Sequence, residues 1–260
     1  MNPELVTPLI LTFNEAANLR STLEALSWAK QIVIIDSSSV DETLAIAAEF
    51  SNVKVRQYVF DNHPNKWNFG LEQIETEWVL TLDADYVCPA NLSNEMESLN
   101  SAADVFYAKF HYCVFGRVLR ASLYPPRAIL FRPKQCQYIS DGHTQLLDDA
   151  KMETSFLTSI VQHDDRKPLT HWFDSQLSCA KLEAEKILAA APNSLSWKDR
   201  IRRRCLFAPG LTFFYCLFVK LLILDGWPGF FYTFQRVFAE LVLSLILIEK
   251  KLRRKIDRAD

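Results

Sequence analysis

The feature that most constrains the fold of this 260-residue chain is an alternation of short apolar runs and amphipathic stretches near its N-terminus. The apolar runs, which predict β-strands, cover residues 8–13, 31–36, 53–59 and 78–82. Apolar residues at helical spacing between them predict helices over residues 15–29, 42–50 and 64–76. Strands and helices that alternate in this way form a parallel sheet flanked by helices. The sequence therefore predicts an α/β, doubly wound fold.

Three of the predicted strands are followed directly by polar residues. The strand ends are TFNE at 12–15, DSSS at 36–39 and DAD at 83–85. Ligands of open α/β sheets bind beyond the carboxyl ends of the strands, so these residues are candidates for one shared site. Two carboxylates aimed at one point suit a hard divalent cation, which neutralises a diphosphate. Neither G-x-G-x-x-G nor G-x-x-x-x-G-K-[ST] occurs, so a dinucleotide cofactor and P-loop hydrolysis lose their usual support.

Three strings of residues together resemble a known enzyme family. LILTFNE, IVIIDSSSVDET and WVLTLDAD occur in the order and at the separations of the family-2 inverting glycosyltransferases, which have the GT-A nucleotide-sugar fold. The chain is most similar to the bacterial branch that acts on lipopolysaccharide core or similar cell-envelope glycans. The resemblance implies metal-dependent transfer of a hexose from a nucleotide-diphosphate sugar, UDP-hexose, to a glycan or glycolipid acceptor. Transfer to polyprenyl phosphate, or a non-catalytic scaffold that binds sugar nucleotides or glycans at the membrane, remain as alternatives.

The resemblance also implies a donor-binding site at the first two strand ends. Thr12, Asn14 and Glu15 are expected to border the base and the ribose, and Asp36 is expected to hydrogen-bond the base. Ser38 belongs to the same donor site, at a position where the family usually has glycine. This departure leaves the expected fold unchanged.

The phosphate and metal side of the site is implied by the same resemblance. Asp85 is expected to hold Mg²⁺ or Mn²⁺ against the diphosphate, with Asp83 beside it and facing the ribose. Lys66 and Asn68 fall where many relatives have polar groups near the nucleotide, although a solvated helix face explains them equally well. Arg127 is expected to contact the donor phosphate, with an anionic acceptor or plain solvent as its alternatives.

An inverting transfer is a single displacement at the anomeric carbon, and it needs a base that takes the proton of the acceptor hydroxyl. Asp141 is the candidate base by its position and chemistry, because the family's more usual signature is absent. His143 is the alternative as a base, a metal ligand or a phosphate contact, or else as a structural loop residue. For His163 and His171 a structural hydrogen bond is favoured over a metal role.

The domain organisation follows from the motifs and from the distribution of charge. Residues 1–165 are expected to form the catalytic domain, with the nucleotide-sugar half at 1–95 and the acceptor half at 96–165. Residues 166–260 are expected to form a helical C-terminal extension. Residues 198–260 contain thirteen Lys and Arg against six Asp and Glu, a net charge of +7, whereas the whole chain has −2. The overall charge argues against a nucleic-acid partner, and the basic, apolar tail indicates contact with a membrane surface.

The tail contains a predicted helix at 172–191 and two apolar runs, 206–224 and 230–248, that are separated by a turn. Lys220, Arg236 and Glu240 interrupt these runs, and a charge in the middle of a spanning helix costs about 2.5–3.5 kcal/mol on insertion scales. An interfacial helical hairpin is therefore favoured over two membrane spans. The other alternative is a pair of helices that packs on the catalytic domain. Such a pair could also form the interface of a homodimer.

Cysteines and the first residues give an expectation for the compartment. The six cysteines show no C-x-x-C and no paired zinc spacing, so they are expected to be buried thiols. The first apolar run is short and no basic segment precedes it, unlike a secretory signal peptide. We therefore expect a protein of the reducing cytoplasm that is peripherally associated with the inner face of the cytoplasmic membrane.

Overall fold

The computed structural model describes residues 1–99, 103–141, 144–191, 194–205 and 207–257, except for the side chains of Asp141 and Thr144. The chain forms two compact units. The first unit comprises Met1–Val118 and Leu123–Lys167, and the second comprises Leu119–Ser122 and Pro168–Asp260. All the strands in the described residues belong to the first unit.

The first unit contains a large sheet, a separate hairpin and four helices within its described residues. Its strands are β1 (Val6–Thr12), β2 (Ile32–Asp36), β3 (Val53–Gln57), β4 (Trp78–Asp83), β5 (Tyr86–Val87), β6 (Val105–Val114), β7 (Arg117–Val118), β8 (Arg127–Phe131), β9 (Tyr138–Asp141), β10 (Thr144–Leu147) and β11 (Thr154–His163). Its helices are α1 (Leu19–Ala25), α2 (Thr43–Ala48), α3 (His63–Glu72) and α4 (Leu92–Ser98), and a 3₁₀ turn (Pro3–Leu5) precedes β1.

The sheet has the strand order β3-β2-β1-β4-β8-β6-β11-β5, with β7 paired to β6. The first four strands are parallel to one another, β8 is antiparallel to both of its neighbours, and β11 is parallel to β6. β9 and β10 form the separate antiparallel hairpin. Every residue of β1 and β2 is buried, as expected of central strands that are covered on both faces. The predicted α/β fold is confirmed.

Close packing of α3 on the sheet fixes the position of the polar residues that α3 carries. A Cβ atom on Gly70 would lie 2.9 Å from the Leu9 methyl carbons and 3.1 Å from Cγ1 of Ile35. The glycine therefore allows α3 to lie close to β1 and β2. Lys66 and Asn68 lie on the same helix, which holds them near the carboxyl ends of those strands.

The first predicted helix begins later than the sequence indicates. It was expected from Glu15, but α1 begins at Leu19. The backbone amides of Asn14 and Glu15 instead donate to the hydroxyl groups of Ser39 and Thr43, at 2.9 and 2.7 Å. Because these bonds come from the second strand-end loop, local helical periodicity could not have predicted them.

The second unit is helical in its described part. Its helices are α5 (Leu169–Ala189), α6 (Trp197–Arg203), α7 (Ala208–Phe214) and α8 (Trp227–Ile256), with a π-helical turn (Tyr215–Val219) and a 3₁₀ turn (Leu222–Asp225) between α7 and α8. The apolar run 206–224 is therefore not one helix, and Leu221 adopts a left-handed backbone conformation where it is broken. By length and composition α8 could cross a membrane, and 28% of its apolar window is buried.

The charges that interrupt the apolar runs of the second unit are largely used inside it. Arg202 of α6 binds Glu240 of α8 at 2.6 Å and lies 3.7 Å from the buried Glu183 of α5. Burial lowers the pKa of Arg202, but Glu240 and Glu183 outweigh that effect and the pKa is raised. The ion pairs therefore connect three helices and explain how an apolar run accommodates Glu240.

Candidate functional site

The strand ends meet because the first four strands are parallel and in register. Thr12 of β1 lies opposite Asp36 of β2, and Leu11 lies opposite Asp83 of β4. The residues that follow these strands therefore lie at one edge of the sheet, as the rule for open α/β sheets predicts. The structure brings together the donor-site candidates of all three strand ends.

Asp36 is a buried carboxylate that ties the first two strand ends together. Its Oδ2 atom accepts hydrogen bonds from the hydroxyls of Thr12 and Ser39 at 2.8 and 2.5 Å, and Oδ1 accepts from the Ser39 amide at 2.9 Å. Burial raises the pKa of Asp36, but these hydrogen bonds outweigh it, so the pKa lies below its usual value. The carboxylate therefore organises the loops, while its expected contact with a nucleobase stays a prediction.

Two residues of these loops adopt left-handed backbone conformations. Asn14 has a φ of 53° and Ser38 has a φ of 61°. The Asn14 side chain accepts a hydrogen bond from the Val40 amide at 2.9 Å. For a non-glycine residue such a conformation costs about 1–2 kcal/mol, which gives a physical reason for the glycine that the family usually has in place of Ser38. This backbone strain lies in the two loops that the sequence predicts to bind the donor.

Glu15 lies in a network of charged groups and is 14% exposed. Its Oε1 atom accepts from Nζ of Lys167 at 2.6 Å, and Oε2 accepts from the Asn18 amide at 2.9 Å. Burial raises the pKa of Glu15 to about 7, with Lys167 acting against the shift and Asp85 adding to it. The electrostatic coupling to Asp85 connects the first strand end with the third.

Lys66 is a buried cation at the same edge of the sheet. It is 3% exposed, and its Nζ atom donates to the Thr12 carbonyl oxygen at 2.7 Å. Burial lowers the pKa of Lys66 to about 8, although Asp36, Glu15 and Asp83 favour the charged form. Lys66 therefore does not lie on a solvated helix face. An ammonium group has three N–H donors, so a buried one with a single such bond can accommodate an anion.

Asn68 has a structural part in the same helix. Its amide donates to the Tyr138 carbonyl at 3.0 Å and accepts from the Tyr138 amide at 2.8 Å. These two bonds hold β9 against α3. A contact between Asn68 and the nucleotide stays a prediction.

Asp85 contacts a histidine that sequence reasoning favoured as structural. Its Oδ2 atom lies 3.1 Å from Nε2 of His163, whereas Asp85 Oδ1 and His163 Nδ1 are buried without a hydrogen-bond partner. Burial raises the pKa of Asp85, but His163 and Lys167 outweigh it and the pKa is lowered. His163 is the last residue of β11, just as Asp83 is the last residue of β4. Its position at the end of an apolar run was the sequence signal that could have placed it in the site. His171 lies in α5 of the second unit.

The side chains present fit a divalent cation whose remaining ligands are supplied by a substrate. No group of three or more His, Cys, Asp or Glu residues suited to a metal ion exists in the part of the chain that the structure describes. Mg²⁺ is commonly bound by one or two carboxylates together with substrate phosphates, so a complete protein cage is not required. The buried, unpartnered oxygen of Asp85 is a free ligand atom of this type.

A cavity of about 370 Å³ adjoins the third strand end and is lined by Asp83, Arg127 and several aromatic residues. Within the described residues, the Asp83 carboxylate makes no hydrogen bond or ion pair. Arg127 lies with its guanidinium carbon 5.2 Å from the centre of the Tyr124 ring, and its Nε atom is buried without a partner. The cavity is therefore lined by the unpaired carboxylate of Asp83 and by a guanidinium with unused hydrogen-bonding capacity.

The first candidate base falls at the end of a strand of the hairpin that lines this cavity. Asp141 ends β9, and its side chain and the whole of His143 lie outside the described residues. Asp149, which sequence reasoning missed, lines the cavity and accepts a hydrogen bond from the Tyr107 hydroxyl at 2.6 Å. It follows β10 without a motif, so no sequence signal marked it.

Residues 9–144 match the model of a protein family described as "Glycosyl transferase family 2". The chain belongs to glycosyl transferase family 2. The match begins in β1 and ends at the start of β10, so it includes all three strand ends described above. The match confirms the enzyme class that the motifs implied, a glycosyltransferase domain.

Two curated relatives of this family-2 protein align with part of its sequence. LpsC of Rhizobium meliloti, a lipopolysaccharide core biosynthesis glycosyltransferase, is 28% identical over 109 residues, which are 40% of this chain and 40% of LpsC. An uncharacterized glycosyltransferase of Rickettsia felis is 27% identical over 96 residues, 36% of this chain and 33% of the relative. The matched segments thus span about a third to two fifths of the length of these relatives.

Two solved structures resemble the family-2 transferase over more of its length. S. aureus TarS 1–349 in complex with UDP-GlcNAc has a TM-score of 0.49 and 18% identity, and the match covers 96% of this chain and 92% of that chain. Glucosyl-3-phosphoglycerate synthase from Mycobacterium tuberculosis has a TM-score of 0.46 and 13% identity, with 70% and 79% covered.

Lys66→Met is expected to raise the free energy of unfolding by about 2–3 kcal/mol at pH 7, because the buried charge is removed. The unfolded chain keeps this proton up to its ordinary pKa of 10.5, whereas the folded chain releases it near pH 8. The unfolded state thus binds more protons between these values, and the wild-type protein gains stability as the pH rises through them. The advantage of the variant therefore shrinks above pH 8.

Urea titrations at pH 7 and at about pH 9.5 measure this difference. Lys54→Met is the matched control, because Lys54 is exposed on β3 and its replacement should change the free energy of unfolding by less than about 0.5 kcal/mol. A Lys66→Met variant that is less stable than the wild type at pH 7 would show that the lysine charge is not a burden on the fold.

Proposed function

We propose that the protein is a metal-dependent inverting glycosyltransferase that moves a hexose from UDP-hexose to a glycan or glycolipid of the cell envelope. The observation that carries the proposal is the arrangement at the sheet edge. A buried cation, Lys66 of α3, lies at this edge together with two carboxylates that have unused oxygens, Asp83 at the end of β4 and Asp85 two residues later. A diphosphate bound with a divalent cation supplies the charges that this arrangement leaves unmatched.

In the proposed mechanism the donor diphosphate is bound from two sides. Asp85 would hold Mg²⁺ or Mn²⁺, with Asp83 beside it, and the metal ion would neutralise charge on the departing diphosphate. Lys66 would donate hydrogen bonds to a phosphate oxygen, and the free Nε–H of Arg127 would do the same from β8. Thr12, Asn14, Glu15, Asp36, Ser38 and Asn68 are assigned to the base and ribose side.

The sugar is assigned to the cavity next to Asp83. Its volume of about 370 Å³ suits a monosaccharide, and its walls include Trp67, Tyr86 and Tyr138. Ligand pockets of this kind combine apolar surfaces with a few placed polar groups, here Asp83 and Asp149. Asp149 would bind a hydroxyl group of the sugar and orient it.

Asp141 is assigned as the base that takes the proton of the attacking hydroxyl group, and His143 is the second candidate. Asp141 ends β9 of the hairpin, whose strands β9 and β10 line the cavity through Tyr138 and Gln145. A base in this position would act on the face of the sugar opposite the diphosphate, as a single inverting displacement requires.

The acceptor is assigned from the similarity to a relative, and the location of the enzyme is assigned from the composition of residues 198–260. The similarity to LpsC, whose name refers to lipopolysaccharide core biosynthesis, supports a cell-envelope acceptor. We assign the protein to the cytoplasmic face of the membrane, with residues 198–260 in peripheral contact with lipid. Exposed Phe, Leu and Trp side chains and a net charge of +7 in this segment support the contact.

The metal assignment predicts that Asp85→Asn abolishes slow hydrolysis of UDP-hexoses by the purified protein in the presence of Mn²⁺. The expected loss is at least about 100-fold, because the substitution removes a charged ligand from the departing diphosphate. Release of UDP from a panel of UDP-hexoses measures the rate. Asp148→Asn is the control, since Asp148 is exposed, and it should leave the rate unchanged.

The base assignment predicts that Asp141→Asn binds UDP-hexose normally and hydrolyses it about 10²–10⁴ times more slowly. Water takes the place of the acceptor in this assay, so no acceptor need be known. Calorimetry measures donor binding, and UDP release measures the reaction. A normal rate would exclude Asp141, and His143→Gln in the same assay would then test the second candidate.

A further inference from the structure

The second unit contains a basic cavity of about 500 Å³ that the transfer reaction does not use. Four cationic side chains line it, Arg204 from the end of α6 and Lys251, Arg254 and Lys255 from the last turns of α8. Ile248 and Leu252 supply apolar wall, and no carboxylate contributes to the lining. The cavity therefore combines positive charge with apolar surface.

The charge in this cavity is not compensated by the protein. None of its four cations makes an ion pair with a carboxylate within the residues that the structure describes. Other cations of the same unit are paired: Arg202 with Glu240, Lys250 with Glu185 and Arg253 with Glu249. Like charges held close together raise the electrostatic energy, and an anion lowers it. The lining therefore fits an anionic group.

A defined contact between two helices holds the cavity in shape. Nζ of Lys251 donates to the carbonyl oxygen of Arg203, at the end of α6, and lies 3.2 Å from the sulfur of Cys205. Cys205 has a φ of 66°, the left-handed conformation that commonly terminates a helix. Lys251 thus satisfies a free carbonyl of α6 and fixes Arg204 opposite the end of α8.

An apolar stripe on α8 runs into this cavity. Exposed large apolar residues recur at spacings of three, four or seven positions and form one face of the helix: Trp227, Phe230, Phe234, Phe238, Leu241, Leu245, Leu252 and Ile256. Leu252 belongs to both the stripe and the cavity wall. A helix of this length extends for about 45 Å at 1.5 Å per residue. The basic cavity and the apolar stripe are thus parts of one continuous surface.

We propose that the cavity is a binding site for the phosphate headgroup of an anionic phospholipid, with the stripe of α8 buried in the acyl region of the same leaflet. The inference rests on the membrane contact of the proposed function and adds the lipid class and the residues that select it. A bilayer supplies anions to the cavity, whereas the same face of a second copy of the chain would bring the same cations. Charge complementarity therefore favours lipid as the occupant.

The test is co-sedimentation of the full-length protein with phosphatidylcholine vesicles that contain or lack phosphatidylglycerol. The triple variant Arg204→Gln, Arg254→Gln, Lys255→Gln changes three exposed cavity residues. Its affinity for the anionic vesicles should fall by at least about tenfold, since each cation near the surface contributes to binding. The matched variant Lys198→Gln, Lys250→Gln, Arg253→Gln removes the same charge outside the cavity and should lose less than about threefold.

Equal losses in the two variants, or no loss in either, would overturn the headgroup site. Displacement of the wild-type protein from vesicles by millimolar inorganic phosphate would also overturn it, in favour of a soluble anion. A lipid-free dimer that dissociates when Phe234 and Leu245 are changed to Ser would identify a second copy as the occupant and likewise overturn it. UDP-hexose hydrolysis without lipid should be unchanged in both triple variants, so failure of the transferase proposal would be seen separately.

Discussion

The hydrogen bond from the buried ammonium of Lys66 to the carbonyl of Thr12 is the interaction on which the candidate donor site depends. It places a positive charge at the point where β1 and β2 end, next to carboxylates that are themselves held by the loops. Burial of this charge costs stability, and the chain retains it with one hydrogen bond where three are available. An anionic ligand would relieve that cost. The buried charge of Lys66 therefore lowers the stability of the fold and at the same time favours the binding of an anion.

Much of the first unit follows from sequence patterns because the information is local. Alternating apolar runs gave β1, β2 and β4 nearly to the residue, and the parallel pairing then brought the strand ends together. What the sequence did not give depends on contacts between distant segments. Ser39 and Thr43 capture the amides before α1, close packing at Gly70 buries Lys66, and β11 brings His163 to Asp85.

The second unit shows the same division between composition and contact. The basic, apolar character of the tail was visible in the charge distribution, and α8 continues from Trp227 to Ile256 through the second apolar run. The partners of its charges were not visible, because Arg202, Glu240 and Glu183 belong to three separate helices. Ion pairs satisfy those charges internally, whereas the cations of the basic cavity remain unpaired within the described residues and define a surface for an anion.

The most direct test of the central claim is calorimetric measurement of proton uptake when UDP binds at pH 8 with Mn²⁺, in two buffers of different ionisation enthalpy. Burial lowers the pKa of Lys66 to about 8, and a bound diphosphate favours its charged form, so UDP binding near this pH should be accompanied by proton uptake that Lys66→Met loses. Binding without proton uptake, or no binding at millimolar metal, would contradict the assignment of Lys66 and the sheet edge to the donor diphosphate.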